Sequence, residues 1–264
     1  MITYEICART DTGLVRKNNE DAVAFDAACG LCLLADGMGG YNAGEVASGM
    51  AISLINAELG RWLQEPGRQA SAKEVRRAME VAVENANHSI FNVAHTHRDY
   101  AGMGTTLVVA VAQDNRLLLG HIGDSRAYRL RGETLEQITK DHSLLQEQLD
   151  SGLITPEQAL TALNKNLITR AVGVEDAVQL ECNEFRVSPG DLYMMCSDGL
   201  SDMVDPAHLA LILQSPETLD DKSRQLIEAA HAGGGRDNIA VVLLQASVPD
   251  PAARRGLLFR MLGK

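Results

Sequence analysis

The chain has 264 residues, 45% of them hydrophobic, and a formal net charge of −11. Its well-mixed composition has no low-complexity tract or Pro/Gly/Ser-rich linker, which is the profile of one large globular unit. The acidic balance argues against general nucleic-acid binding, no apolar run approaches a membrane span, and the N-terminus lacks an export signal.

Ile2 to Thr10 reads as a first strand, with a turn at Asp11-Thr12-Gly13. The dense polar cluster Arg16-Lys17-Asn18-Asn19-Glu20-Asp21 follows, then strand-like Ala22 to Phe25. Leu31 to Ala35 is a buried strand that Asp36-Gly37 should break into a Gly-rich loop, where the backbone can approach a ligand closely. Asn42 to Gln64 carries the apolar spacing of a helix, stopped by Glu65-Pro66-Gly67. Ser71 and Glu74 form a capping box for a second helix running to about Asp99. His88, His95 and His97 lie on it and read as surface residues.

Thr105 to Ala112 and Arg116 to Ile122 read as a hairpin turning at Asp114-Asn115. Asp124 follows the second strand, and Ala127 to Leu130 and Thr134 to Ile138 continue the series. Asp141-His142-Ser143 opens a less apolar region with short helices over Ser143–Asp150 and Pro156–Lys165. Thr155-Pro156 caps the second of these, and Ser143 itself reads as a helix cap. Val178 to Val187 and Asp191 to Cys196 make another strand pair. Asp198-Gly199 should then turn the chain. Asp205-Pro206 starts a helix through Leu213, Asp220 to Ala232 is the last long helix, and Ile239 to Leu244 the last strand. Hairpins imply antiparallel sheets, and one-sided helices need a sheet face to cover. The expected fold is therefore α+β: a four-layer α-β-β-α sandwich of two mainly antiparallel sheets flanked by helices, with a helical flap. Five scattered Cys read as reduced thiols, and the isolated Cys29-x-x-Cys32 as packing at a strand head.

The chemistry rests on aspartates at strand ends: Asp36, Asp124, Asp198 and Asp237. If they converge, their like charges need cations. Oxygen-only ligands select hard ions such as Mg²⁺ or Mn²⁺, and a pair of ions about 4 Å apart can clamp an in-line displacement at phosphorus. Arg16 would add bidentate recognition of a phosphate. Taken singly, each has a plainer reading: a turn at Asp36 or Asp198, a hairpin corner at Asp124, a helix-to-strand connection at Asp237, an exposed ion pair between Arg16 and Glu20.

Taken in order, these pieces resemble the bacterial form of the metal-dependent serine/threonine phosphatases of type 2C. The matching stretches are Arg16-x-x-Asn19-Glu20-Asp21, Ala35-Asp36-Gly37-Met38-Gly39-Gly40, Gly104-Thr105-Thr106, Gly123-Asp124-Ser125-Arg126, Asp141-His142-Ser143, Ser197-Asp198-Gly199-Leu200 and Asp237-Asn238. The resemblance implies hydrolysis of phosphoserine and phosphothreonine in proteins by attack of a metal-bridging water or hydroxide, with two Mn²⁺ or Mg²⁺ ions in the core site. Asp36 and the carbonyl of Gly37 would hold metal, completed by Asp198 and Asp237. Asp124 with Asp198 would hold a third, weaker ion. Glu20 and Asp21 would act through metal-bound waters, with Asn238 in support, and Arg16 would hold the phosphate. It further implies a phosphatase domain over 1–247 with a flap at about 143–174; the stretch 248–264, by its own composition, reads as a basic, apolar tail unlike the acidic body. The expected setting is a cytoplasmic monomer, without nucleic acid or transmembrane segment, reversing a bacterial Ser/Thr kinase and acting on its targets. One departure stands out: animal members place a His after this Asp-Gly, where this chain has Met38, which has no proton to give. Two other readings stay open, a non-catalytic signalling module and a phosphohydrolase of small phosphate esters.

Overall fold

A computed structural model describes residues 2–40, 43–65, 69–160 and 167–248. In chain order, β1 (Thr3–Asp11), β2 (Asp21–Asp26) and β3 (Leu31–Met38) lead into helices α1 (Ala43–Gln64) and α2 (Ala72–Thr96) and a 3₁₀ turn at Arg98–Tyr100. Then come β4 (Gly104–Thr105), β5 (Leu107–Gln113), β6 (Arg116–Ile122), β7 (Arg126–Arg131), β8 (Thr134–Gln137), α3 (Leu144–Asp150) and α4 (Pro156–Leu160). The described chain closes with β9 (Glu181–Arg186), β10 (Leu192–Cys196), α5 (Asp198–Ser201), α6 (Pro206–Gln214), α7 (Leu219–Ala232) and β11 (Ile239–Ser247).

The strands form two sheets, one ordered β1-β11-β10-β7-β8 and the other β2-β3-β5-β6-β9 with β4 added to β3. The pairings are antiparallel. Side chains alternate across each strand, so each sheet has two apolar faces to bury. Cys32, Leu34, Val108, Ala110, Tyr193, Met195 and Val242 fill the layer between the sheets. Leu31, Leu33, Val109 and Val111 point the other way, onto Ile55, Leu59, Met79 and Ile90 of α1 and α2. Met194, Cys196, Val241 and Leu243 face Leu209, Leu213, Leu226 and Ile227 of α6 and α7. The expected four layers are these. Cys29, in the turn before β3, packs against the helix-side core while Cys32 on β3 lies between the sheets, so the two face different cores. All five cysteines are free.

The caps follow the sequence. Ser71 and Glu74 make a reciprocal capping box, Ser143 caps α3, and Asp205 caps α6. Thr155 and Gln158 exchange hydrogen bonds of 2.9 and 3.3 Å at the head of α4. Several expected boundaries shift. Asp36-Gly37 does not break β3: the strand continues to Met38, because Asp36 pairs with Asp21 on one side and Gly37 with Thr105 on the other. Asp198 begins one turn of helix rather than a loop, with Ser197 at its cap position. The strand read over Thr105–Ala112 is divided at Thr106, whose N–H turns to the Asp36 carbonyl at 2.8 Å. The strand placed at Val178 begins at Glu181, and the second helix ends at Thr96. The helix start at Asn42, the stop at Pro66-Gly67, the continuation of α4 to Lys165 and the tail beyond Val248 lie outside the described residues.

Candidate metal centre

β3 delivers Asp36 to the end of one sheet, and β2 sets Asp21 directly opposite it. β10 of the other sheet runs into Ser197 and Asp198, and β11 starts just after Asp237-Asn238. Two close approaches of backbone join these ends. A Cβ on Gly37 would lie 2.1 Å from the Gly44 carbonyl oxygen at the head of α1, and one on Gly199 would lie 1.9 Å from that of Asn238. Only glycine admits such contacts, so the two Asp-Gly pairs serve packing rather than turning.

The result is a cluster of carboxylates. Burial foremost, then Asp21, Asp198, Asp124 and Asp237, pushes the Asp36 carboxyl well above the usual range. Asp198 is pushed up to about 7 by burial and by Asp124, Asp202 and Asp237. Asp21 reaches about 7, burial outweighing the Ser197 hydroxyl that donates to its Oδ2 at 2.7 Å. Asp124 rises to about 6, from burial and then Asp141. Burial also raises Glu20, whose neighbour Arg16 partly offsets it.

Arg16 does not pair with Glu20 as its plain reading had it. Its Nη2 lies 2.7 Å from Asp237 Oδ2, half exposed, at the rim of the cluster. Burial lowers the Arg16 pKa, but Asp237 overcomes this by charge and hydrogen bond, and the net shift is upward. Asn238 is buried and ties the centre together. Its side chain accepts from the Glu20 N–H at 2.8 Å and donates to the Thr12 and Asn18 carbonyls at 2.9 and 2.8 Å.

Do these residues fit cations? Asp21 Oδ1 is buried with no hydrogen-bond partner. A buried acceptor left unmet costs about 1–3 kcal/mol. Like charges in one half-dry site repel, and hard divalent ions meet both demands with oxygen ligands. The donor set fits Mg²⁺ or Mn²⁺.

Three supporting groups have roles that residue order did not assign. Ser197 donates to Asp21 and accepts from the Ala240 N–H at 2.8 Å, joining the two sheets beneath the cluster. The Asp36 N–H donates to Thr106 Oγ1 at 3.0 Å, which lies 2.7 Å from Ser125 Oγ. Asp202 adds negative charge toward Asp198 and Asp124. The only signal for Ser197 was its place beside Asp198. Asp141-His142-Ser143 proves to be scaffolding: Arg126 grips Asp141 with two nitrogens at 2.7–3.0 Å, and the His142 Nδ1 accepts from the Gly123 N–H at 3.1 Å, holding the turn that carries Asp124.

A second polar cluster lies nearby. Ligand-type atoms of His121, His142 and Glu181 fall within 4.8 Å of one another. Their hydrogen bonds are already met. His121 Nε2 lies 2.8 Å from the Lys140 carbonyl, and His142 Nε2 3.2 Å from Glu181 Oε2. The two rings stack with centroids 4.6 Å apart and planes 16° off parallel. Nitrogen lone pairs lie in the ring planes, so parallel rings do not aim at one ion. Burial foremost keeps the His142 pKa low, and the Arg170 guanidinium contributes.

The protein phosphatase 2C family matches residues 15–232. The serine/threonine phosphatase Stp of Listeria innocua is 37% identical over 243 residues, covering 91% of this chain and 95% of that protein. PstP of Mycobacterium tuberculosis is 46% identical over 243 residues, covering 92% of this chain but 45% of that longer protein. A crystal structure of the M. tuberculosis phosphatase superposes with a TM-score of 0.85 at 40% identity, covering 94% of this chain and 100% of that one. The PstP catalytic domain in complex with two manganese ions gives 0.82 at 39% identity, covering 94% and 100%.

Proposed function

The chain belongs to the protein phosphatase 2C family, and we propose on that footing that it removes phosphate from phosphoserine and phosphothreonine in proteins with two Mn²⁺ or Mg²⁺ ions. The observation that carries this is the meeting of Asp21, Asp36, Asp124, Asp198 and Asp237 at adjoining sheet ends, with Arg16 at their rim. Asp36 and the Gly37 carbonyl would hold metal together with Asp198 and Asp237, and Asp124 with Asp198 would hold a weaker third ion. When bound, such ions supply Lewis acidity at the phosphoryl oxygens and a nucleophile at neutral pH.

The chain's own residues do the rest. Arg16, half exposed and held by Asp237, presents a planar guanidinium to the phosphate and orients it. Glu20 and Asp21 hold water around the ligands, and Ser197 and Asn238 keep both carboxylate rows in register. We propose a phosphatase domain over 1–247 with a flap at about 143–174, followed in sequence by the basic, apolar tail 248–264. The setting proposed is a cytoplasmic monomer acting on the targets of a Ser/Thr kinase. No helix among the described residues is long and apolar enough to cross a membrane.

The test is release of phosphate from a phosphothreonine peptide with added Mn²⁺, for the wild type and Asp198→Asn. Activity dependent on the metal and lost in the variant supports the reading. Full activity in excess chelator, or in Asp198→Asn, refutes it.

A further inference from the structure

An arginine that orients a phosphate must itself be held in place, and the chain around Arg16 offers no packing to hold it. Residues 14–18 are exposed, Leu14 and Val15 by 63% and 66%. Hydrogen bonds to the segment between α7 and β11 fix this loop instead. The Asn238 amide donates to the Thr12 and Asn18 carbonyls at 2.9 and 2.8 Å. The Leu14 N–H donates to the Gly235 carbonyl at 2.7 Å. Gly13 has φ +76°, and a Cβ there would overlap the Asp237 carbonyl oxygen, so the loop turns directly against the residue that Arg16 grips.

A side-chain pair stands at the root of the loop. Asp11 is the last residue of β1, and His231 lies in the last turn of α7. His231 Nε2 is 2.7 Å from Asp11 Oδ1, and since a carboxylate oxygen only accepts, the imidazole donates. The same Oδ1 accepts from the Gly13 N–H at 2.8 Å. One oxygen thus joins the end of α7 to the glycine at which the loop turns. The helix end is itself fixed: the Gly234 N–H donates to the His231 carbonyl and the Gly235 N–H to the Ala230 carbonyl, both at 2.9 Å. A second pair also ties β1 to α7, Arg9 to Asp220 at 2.7 Å, but Arg9 bonds only Asp220 and Ser223 of the helix, not the loop.

We propose that His231 is a positioning residue for phosphate recognition: through Asp11 and Gly13 it sets where Arg16 presents its guanidinium. The inference rests on the phosphatase reading and adds the device that aims its phosphate-binding arginine. Without the imidazole, the Asp11 carboxylate is no longer held toward Gly13, and an exposed loop loses the tie nearest its turn. Arg16 then meets the phosphate from a spread of positions rather than one. A misplacement of about 1 Å, caused far from the chemistry, is enough to weaken substrate positioning severalfold. The proposed metal ligands stand on the sheet ends, so the effect falls on phosphate binding and not on the ions.

The experiment measures kcat and KM for a phosphothreonine peptide and an aryl phosphate, and the calorimetric Kd of inorganic phosphate, with Mn²⁺ saturating. His231→Ala is expected to raise KM and the phosphate Kd together by about fivefold, with kcat within about twofold and Mn²⁺ uptake unchanged. His231→Gln, which keeps a nitrogen donor near the place of Nε2, is expected to restore both constants. Asp220→Asn, which weakens the other tie between β1 and α7, is expected to leave both at the wild-type value. In an Arg16→Ala background, His231→Ala is expected to add nothing, because it acts only through that arginine. Unchanged KM and phosphate Kd in His231→Ala, an equal rise in Asp220→Asn, or the full rise with Arg16 already removed would each overturn this proposal alone. Should His231→Ala not fold, Asp11→Asn is read in its place against the same outcomes. Wild-type protein that hydrolyses neither substrate would overturn the phosphatase reading and this proposal with it.

Discussion

Two polar clusters sit close together at the sheet ends, and they are built on opposite terms. In the His121–His142–Glu181 cluster the hydrogen bonds seen satisfy the groups that make it: a carbonyl for one imidazole, a backbone N–H and a carboxylate for the other. In the Asp21–Asp36–Asp124–Asp198–Asp237 cluster the charges oppose one another and Asp21 Oδ1 has nothing to bond. By ligand type alone the histidine cluster looks more like a metal site. By unmet electrostatic demand the aspartate cluster does. Function is found where the fold leaves a debt that the chain itself does not settle.

Removing a debtor should therefore cost activity and removing a satisfied group should not. Asp36→Asn is expected to lower kcat/KM on a phosphopeptide by on the order of 10³-fold or more, because ions and nucleophile are lost together. Steady-state kinetics with saturating Mn²⁺ checks it, and a loss below tenfold would separate Asp36 from the chemistry. Arg16→Lys keeps the charge but loses the planar fork, so a rise in KM of about tenfold is expected with metal binding retained. An unchanged KM would move the phosphate elsewhere.

The same contrast sets a pH dependence. In the metal-free protein, burial and neighbouring carboxylates push Asp21 and Asp198 up to about 7 and Asp124 to about 6. An unfolded carboxylate titrates near 4. Between those values the folded chain holds protons the unfolded chain has released, so this contribution is complete below about pH 4 and is lost as pH rises toward 7. Melting chelator-treated protein across that range, the wild type is expected to lose ground relative to Asp36→Asn, and added Mn²⁺ to abolish the difference. Parallel curves would mean the carboxylates do not repel. The smallest effect belongs to the satisfied cluster. Glu181 is 41% exposed, and Glu181→Gln is expected to cost at most about 1 kcal/mol of stability, with Mn²⁺-dependent activity kept within about twofold, since the residue touches no proposed ligand. A collapse of activity there would reverse the comparison.

Much of this was legible from residue order. The strands, the four layers and the caps at Ser71, Ser143, Thr155 and Asp205 follow from periodicity and capping chemistry. The candidate site residues followed from aspartates at strand ends and from the family resemblance that their order carries. What was not legible depends on contacts between distant segments. Asp36-Gly37 and Asp198-Gly199 read as turns because Asp-Gly is a turn signal locally. In the fold, Gly37 stays in a strand pressed against Gly44, which the entry into α1 folds back over it, and Gly199 sits in a helical turn pressed against Asn238, a segment far along the chain. Ser197 could not be seen as a tie between the sheets until β2 and β11 were placed beside it. Arg16 had two carboxylates to choose from, and only the placement of Asp237 decided it.

Calorimetric titration of the metal-free protein with Mn²⁺ asks the central question most directly. Two or more ions per chain are expected for the wild type and for Glu181→Gln, with core binding lost in Asp36→Asn. Wild-type protein that takes up no Mn²⁺, or binding that survives Asp36→Asn and vanishes in Glu181→Gln, would contradict the assignment of the aspartate cluster as the metal centre.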